Sequence, residues 1–166
     1  MHQTTRLLLN ELTPEDHVFI KELVNTEGWL KFIGNRNIQT EEDAKAYIQK
    51  ILNNPNVTYW VARLKKNEEA VGVVTFIKRD YLEHHDIGFA FLPVFAKKGY
   101  AYEATSAVVN DLVNKYKLSK LLATTIPANT NSIRLLQKIG LVFEKEIKVG
   151  NEKLHVYATS LENIES

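Results

Sequence analysis

Apolar positions along this chain follow two periods. Arg6 to Leu12, which holds the short apolar run Leu7-Leu8-Leu9, reads as a strand. Thr13-Pro14-Glu15-Asp16 then marks a helix start: Thr13 can cap, Pro14 suits the first helical position, and the acids favour the positive end of the helix dipole. Phe19, Ile20, Leu23 and Val24 follow at helical spacing. Asn25 to Arg36 has no clear period and holds Trp29, Phe32 and Ile33. A second cap, Thr40, precedes Glu41, Glu42 and Asp43, and behind it Ala44, Tyr47, Ile48, Ile51 and Leu52 form a stripe that predicts an amphipathic helix. Asn53-Asn54-Pro55-Asn56 ends it.

The pattern then turns to runs rich in β-branched and aromatic residues. Val57 to Leu64 and Val71 to Ile77, separated by the polar turn Lys65 to Glu69, predict an antiparallel hairpin. Asp86 to Leu92 is a third consecutive strand, ended by Pro93. From Gly99 to Tyr116 the pattern is helical again, with Ala104, Ala107, Val108 and Leu112 on one face. Leu121 to Ile126 is nearly all apolar, as in a strand buried on both faces. Asn129 to Ile139 predicts a helix closed by Gly140. Val142 to Val149 and Leu154 to Leu161 predict a last strand pair turning at Gly150-Asn151. A strand meander followed by crossover helices implies an α/β fold with a mixed central sheet of about seven strands and helices on both faces. No repeat, linker or low-complexity tract interrupts the chain, so residues 1–166 are expected to form one domain.

Composition narrows the possibilities. The formal net charge is +1, from 21 basic and 20 acidic residues. A nucleic-acid binder usually carries a clear basic excess, so none is expected here. There is no cysteine, which excludes disulfides, cysteine nucleophiles and thiolate metal sites. Leu7-Leu8-Leu9 is too short for a signal peptide, and no run approaches the roughly 18 apolar residues of a membrane span. A cytoplasmic protein without membrane contact is expected. His84 and His85 are adjacent on a strand and point to opposite faces, so they cannot chelate one ion together, and no metal is expected.

The stretch with chemical content runs from Phe89 to Glu103, where a strand ends, a basic loop follows and Gly99 opens a helix. Unpaired N–H groups and the dipole at such a helix start form an anion site. Gly99 lets the backbone approach a phosphate closely, and Lys97 and Lys98 add positive charge. No Gly-x-Gly-x-x-Gly and no P-loop occurs, which disfavours dinucleotide and nucleoside-triphosphate folds.

On these residues the chain resembles the GNAT superfamily of N-acetyltransferases, and within it the branch of the ribosomal-protein N-terminal acetyltransferases. The superfamily motif Gln/Arg-x-x-Gly-x-Gly/Ala corresponds here to Ala96-Lys97-Lys98-Gly99-Tyr100-Ala101. The branch pattern finds Pro93, Lys98, Gly99, Tyr100, Ala101, Glu103 and Ala104 in place, with departures at Ala96 and Lys97, where Trp and Gly are common. A second match is Asn129-Thr130-Asn131-Ser132, leading to Lys138-Ile139-Gly140-Leu141. Thr5 to Leu9, Thr13 to Asp16 and Asp86-Ile87-Gly88-Phe89 also fit, so the resemblance covers nearly the whole chain.

The resemblance implies a GNAT fold whose sheet splays between Asp86–Leu92 and Leu121–Ile126 to admit acetyl-CoA. It implies direct acetyl transfer within a ternary complex to a primary amine, either a protein N-terminal α-amine or a small-molecule amine. Lys97, Lys98, Gly99, Tyr100 and Ala101 would hold the pyrophosphate. Backbone near Phe91 and Leu92 would hold pantetheine and supply an oxyanion donor, with Asn129 on the pantetheine arm and Ser132 near the thiol. Many relatives place a proton-donating tyrosine in the last helix; the corresponding position here is Leu136. Ser132 is then the expected donor and Tyr157 the alternative. Asp86, working through a water, is the preferred base candidate over His85 and Glu103. Phe32 and Arg36 are the expected acceptor contacts, with Lys78, Arg79 and Asp80 nearby after the second hairpin strand. A monomer or homodimer is expected. The rival reading is a non-catalytic acyl-CoA sensor.

Overall fold

Thr40 shows how local chemistry starts an element. Its hydroxyl accepts from the Asp43 N–H at 3.0 Å while the Asp43 carboxylate accepts from the Thr40 N–H at 3.1 Å, closing a capping box. The computed structural model describes residues 2–160, so Met1 and 161–166 of the expected domain, including Leu161 at the end of the last strand, lie outside the described residues.

Eight strands form one sheet: β1 (His2–Gln3), β2 (Leu7–Glu11), β3 (Val57–Leu64), β4 (Ala70–Ile77), β5 (Asp86–Phe91), β6 (Lys120–Thr125), β7 (Val142–Val149) and β8 (Glu152–Ser160). Their spatial order is β1-β2-β3-β4-β5-β6-β8-β7. The helices are α1 (His17–Val24), α2 (Glu27–Phe32), α3 (Glu41–Leu52), α4 (Tyr100–Tyr116) and α5 (Thr130–Ile139). The mixed α/β sheet agrees with expectation apart from two elements. The short edge strand β1 is additional, and α2 is an ordered helix within the stretch that showed no period. Thr26 caps α2 by accepting from the Trp29 N–H at 3.3 Å.

Side-chain alternation along the strands sorts the core into two layers. Leu7, Leu9, Trp60 and Ala62 pack with Ala104, Val108 and Leu112 of α4. Val61 and Val73 face the other way, against Ile20 and Leu23 of α1 and Ile48 of α3. Ala62 pairs with Gly72 but Arg63 pairs with Ala70, so Val71 is a bulge residue and its side chain joins the α4 layer.

Gly72 is where two backbones come close. A Cβ there would lie 2.4 Å from the Phe91 ring and 2.7 Å from the Ala90 carbonyl oxygen. Gly72→Ala is therefore expected to cost about 2 kcal/mol through overpacking, read as a thermal midpoint lower by roughly 5 °C. An unchanged midpoint would show that β4 and β5 can move apart freely.

Candidate functional site

The site begins with a seam in the sheet. β5 and β6 are parallel and share one bridge, Asp86 with Leu122, supported by the Leu122 N–H donating to the His85 carbonyl at 3.1 Å. Beyond that bridge the strands separate. The alternation of an antiparallel ladder fixes which groups are left over. Leu92 donates to the Val71 carbonyl at 2.9 Å, so every second residue back from Leu92 points its polar backbone at β4. Phe89 and Phe91 consequently turn their N–H and C=O groups toward the gap. The expected backbone donor near Phe91 and Leu92 thus resolves to Phe91, together with Phe89, because the Leu92 amide is already used. The Leu92 side chain, 5% exposed, lies in the core rather than in the cleft.

The loop from β5 to α4 leaves a run of backbone amides unpaired among the described residues. Lys97 at φ 61° and Gly99 at φ 83° both adopt left-handed backbone, which is ordinary for glycine and costly for lysine. The amides of Lys97, Lys98 and Gly99 have no acceptor among the described residues. Those of Tyr100, Ala101 and Tyr102 open α4 and have no intrahelical acceptor, since the first such bond is Glu103 N–H to Gly99 C=O at 3.0 Å. Lys98 keeps a free amide, but the rest of the residue is turned elsewhere. Its carbonyl accepts from Arg6 at 2.9 Å, and its side chain does not line the cleft.

Arg6 and Glu103 hold this loop in shape. The Glu103 carboxylate accepts from the Thr4 hydroxyl at 2.5 Å, the Arg6 N–H at 2.9 Å and the Arg6 Nε at 2.8 Å. The Arg6 guanidinium also lies 4.4 Å over the Tyr100 ring. Partial burial works to raise the Glu103 pKa, but these bonds outweigh it and hold the carboxyl below its usual range. A depressed carboxyl contributes stability above its unfolded pKa and loses it as pH falls through the folded one, so this tie weakens only in strong acid. Glu103 is a clamp on the loop, with its proton-accepting oxygens occupied.

Two cavities meet at the seam. The larger, about 490 Å³, runs from Lys97, Gly99, Tyr100 and Ala101 past Phe91 to Asn129 and Ser132. The smaller, about 180 Å³, lies deeper in the seam and takes in Arg36, Tyr59, Arg79 and Leu136. Both are bounded by Trp29, Phe32, Phe89, Asn129 and Ser132. The first volume falls in the range of small-molecule sites, roughly 300–1,000 Å³. Asn129 caps α5, accepting from the Ser132 N–H at 3.4 Å, which leaves the Ser132 hydroxyl without a partner among the described residues. Leu136 is 1% exposed and brings no proton to the boundary.

Asp86 and Tyr157 are placed otherwise than expected. Asp86 is 2% exposed, lines neither cavity, and accepts from Arg79 Nε at 2.5 Å. Burial pushes the Asp86 carboxyl above its ordinary range, with Arg79 and the Thr124 hydroxyl pulling against it. Burial also works against the Arg79 cation, but the facing carboxylate outweighs that and keeps it protonated. Asp86 is therefore a counter-ion beneath Arg79. Tyr157 is 5% exposed and sits in the α4 core layer, its ring 5.9 Å from that of Phe143, so it does not reach the cleft.

Phe91, Lys97, Gly99, Tyr100, Ala101, Asn129, Ser132, Phe32 and Arg36 do line the paired cavities. Sequence reading missed Tyr59 and Thr75 on the deep wall, and Tyr102 and Lys138 on the outer one, where the Lys138 ammonium lies 4.3 Å over the Tyr102 ring. Tyr59 is half-buried, its hydroxyl is 3.3 Å from that of Tyr47, and desolvation raises its pKa. Among the described residues no three His, Cys, Asp or Glu side chains cluster as metal ligands, and no helix is long and apolar enough to cross a membrane.

Comparison with known proteins gives consistent matches. The model of the acetyltransferase (GNAT) domain matches residues 6–142. An uncharacterized N-acetyltransferase, YnaD of Bacillus subtilis, is 33% identical over 157 residues, covering 92% of this chain and 91% of that protein. The crystal structure of a GNAT-family acetyltransferase from Bacillus anthracis superposes with a TM-score of 0.82 at 29% identity, covering 97% of this chain and 98% of the other. A ribosomal-protein alanine acetyltransferase from Vibrio fischeri has a TM-score of 0.79 at 19% identity, covering 95% of this chain and 94% of that one, a likeness of fold alone.

Proposed function

The chain belongs to the acetyltransferase (GNAT) family, and on that premise we propose that it moves the acetyl group of acetyl-CoA onto a primary amine by direct attack in a ternary complex. The acceptor is a small-molecule amine or a protein N-terminal α-amine. The observation that carries this reading is the junction of the two cavities at Phe89, Asn129 and Ser132, with unpaired strand amides along one side.

The residues fit the cofactor. Free amides at the start of α4 suit a pyrophosphate, and the Phe91, Phe95 and Leu135 side chains suit an extended, largely uncharged arm. Asn129 borders that arm. Acetyl-CoA supplies an activated thioester carbonyl at the junction. The Phe89 or Phe91 N–H donates to its oxygen as charge builds there. The amine nitrogen forms the new C–N bond as the C–S bond breaks. Ser132 offers its hydroxyl proton to the departing sulfur and is reprotonated from water, while water carries off the proton the amine loses. A peptide N-terminal α-amine, with pKa near 8, needs little further help from a base at neutral pH, whereas a more basic amine must first give up a proton to water. Asp86 is too enclosed by Arg79 for direct contact, so its influence on the amine passes through Arg79.

Titration calorimetry with acetyl-CoA, paired with thiol release on an amine panel, tests the reading. Ser132→Ala is expected to lower kcat about tenfold to a hundredfold with the Kd for acetyl-CoA nearly unchanged. Undiminished turnover would move the donor role to water. Tight binding with no turnover on any amine would favour the acyl-CoA sensor, a reading that the buried Leu136 keeps in view.

A further inference from the structure

The deeper chamber is cationic. Among the described residues its charged lining residues are Arg36 and Arg79, with no Asp or Glu. Arg79 is balanced from behind by Asp86, at 2.5 Å. Arg36 forms no ion pair and no hydrogen bond among the described residues. Both arginines line the same chamber as Tyr59. One more donor lines the chamber. Thr75 presents a hydroxyl that Gly88 leaves room for, since a Cβ on Gly88 would come within 2.6 Å of it.

Uncompensated positive charge and excess donors, in a pocket next to an acyl-transfer junction, select the acceptor. A polyamine or any other polycation would bring ammonium groups toward Arg36 with no carboxylate to receive them. A carboxylate matches the planar fork of a guanidinium and can take two hydrogen bonds from it. Arg36 lines the deep chamber but not the larger cleft, so it lies away from the shared boundary at Asn129 and Ser132. The geometry points to an acceptor that carries a carboxylate as well as its amine: a small free amino acid, with the amine at Ser132 and the carboxylate on Arg36. This assignment rests on the transferase reading above, and it sets the small-molecule amine ahead of a protein N-terminus because the chamber holds only about 180 Å³.

The test compares free α-amino acids with the same amino acids amidated at the carboxyl, with spermidine, and with a short peptide bearing a free N-terminus. Each is assayed by thiol release at saturating acetyl-CoA. Counted per neutral amine, because amidation makes the amine less basic, the free acids are expected to exceed the amides in kcat/KM by about tenfold or more, as a charge-assisted pair requires. Arg36→Gln is exposed and unpaired, so it should fold normally. It should raise the KM of the free acids about tenfold, narrow the gap between acid and amide, and leave acetyl-CoA affinity within about twofold of the parent. Amides, spermidine or the peptide reacting as well as the free acids would overturn the proposal. So would an Arg36→Gln effect that falls equally on acid and amide. Calorimetric binding of acetyl-CoA without turnover on any free acid would overturn the acceptor while leaving cofactor binding intact. Absence of acetyl-CoA binding would instead remove the transferase reading beneath it.

Discussion

Gly99→Asp should yield a folded protein that no longer binds acetyl-CoA. Two separate costs meet at this residue. The backbone sits at φ 83°, and an added Cβ would stand 3.2 Å from the Arg6 guanidinium, so any L side chain strains the loop. A carboxylate would also compete for the amides proposed to hold the pyrophosphate, and would repel it. The strain alone costs about 1–2 kcal/mol, and the charge adds to it. Together they predict a Kd at least about a hundredfold weaker by calorimetry. Gly99→Ala separates the two contributions by keeping the strain and dropping the charge. Parent-like affinity in a folded Gly99→Asp protein would refute the location of the anion site.

Arg79→Met should destabilise the fold strongly, and in a pH-dependent way. The Asp86 side chain is 3% exposed, whereas that of Arg79 is 36% exposed, so the carboxylate is the partner that suffers when the pair is broken. Leaving one charge of a buried pair alone typically costs about 3–5 kcal/mol. The carboxyl already titrates above its ordinary range because of burial, and without Arg79 it moves further up. A raised carboxyl pKa contributes stability below the unfolded value and loses it as pH rises through the folded one. The variant should therefore lie closest to the parent in mild acid and fall away toward pH 8. Chemical denaturation at several pH values reads this directly, and Arg79→Met with Asp86→Asn should recover much of the loss. A pH-independent deficit would mean that packing of the arginine stem, rather than its charge, is what matters.

How much could be read from the sequence depended on distance along the chain. The Gly99 loop was legible because strand end, glycine and helix start are contiguous. The α5 entry at Asn129 and Ser132 was legible for the same reason. The clamp on the loop was not, because Arg6 and Glu103 are 97 residues apart and each looks like an ordinary charge in its own segment. Asp86 was read as a strand-end carboxylate, and only the turn that folds Arg79 back over it shows that its oxygens are occupied. Tyr157 was misjudged by parity. Leu154 to Ala158 is nearly all apolar, so alternation could not say which face the tyrosine takes, and pairing with Ala123 turns it into the core. Leu92 was a similar case, since which amide faces the gap depends on register with β4, and register is a pairwise property. α2 was missed because six residues including Gly28 are too few to show a period.

The single bridge between β5 and β6 also bears on how the molecule opens. A continuous sheet resists shear through every rung, but here β1–β5 and β6–β8 are joined across the seam by one. The two half-sheets are therefore natural units of partial unfolding, linked mainly by α4, α5 and the layers they cover. A ligand lying in the seam and bonding the free amides of Phe89 and Phe91 would stand in for the missing rungs. Cofactor affinity and the cooperativity between the two halves then become one linked free energy, so the apoprotein is the less unified molecule and occupancy is what makes the sheet behave as a whole.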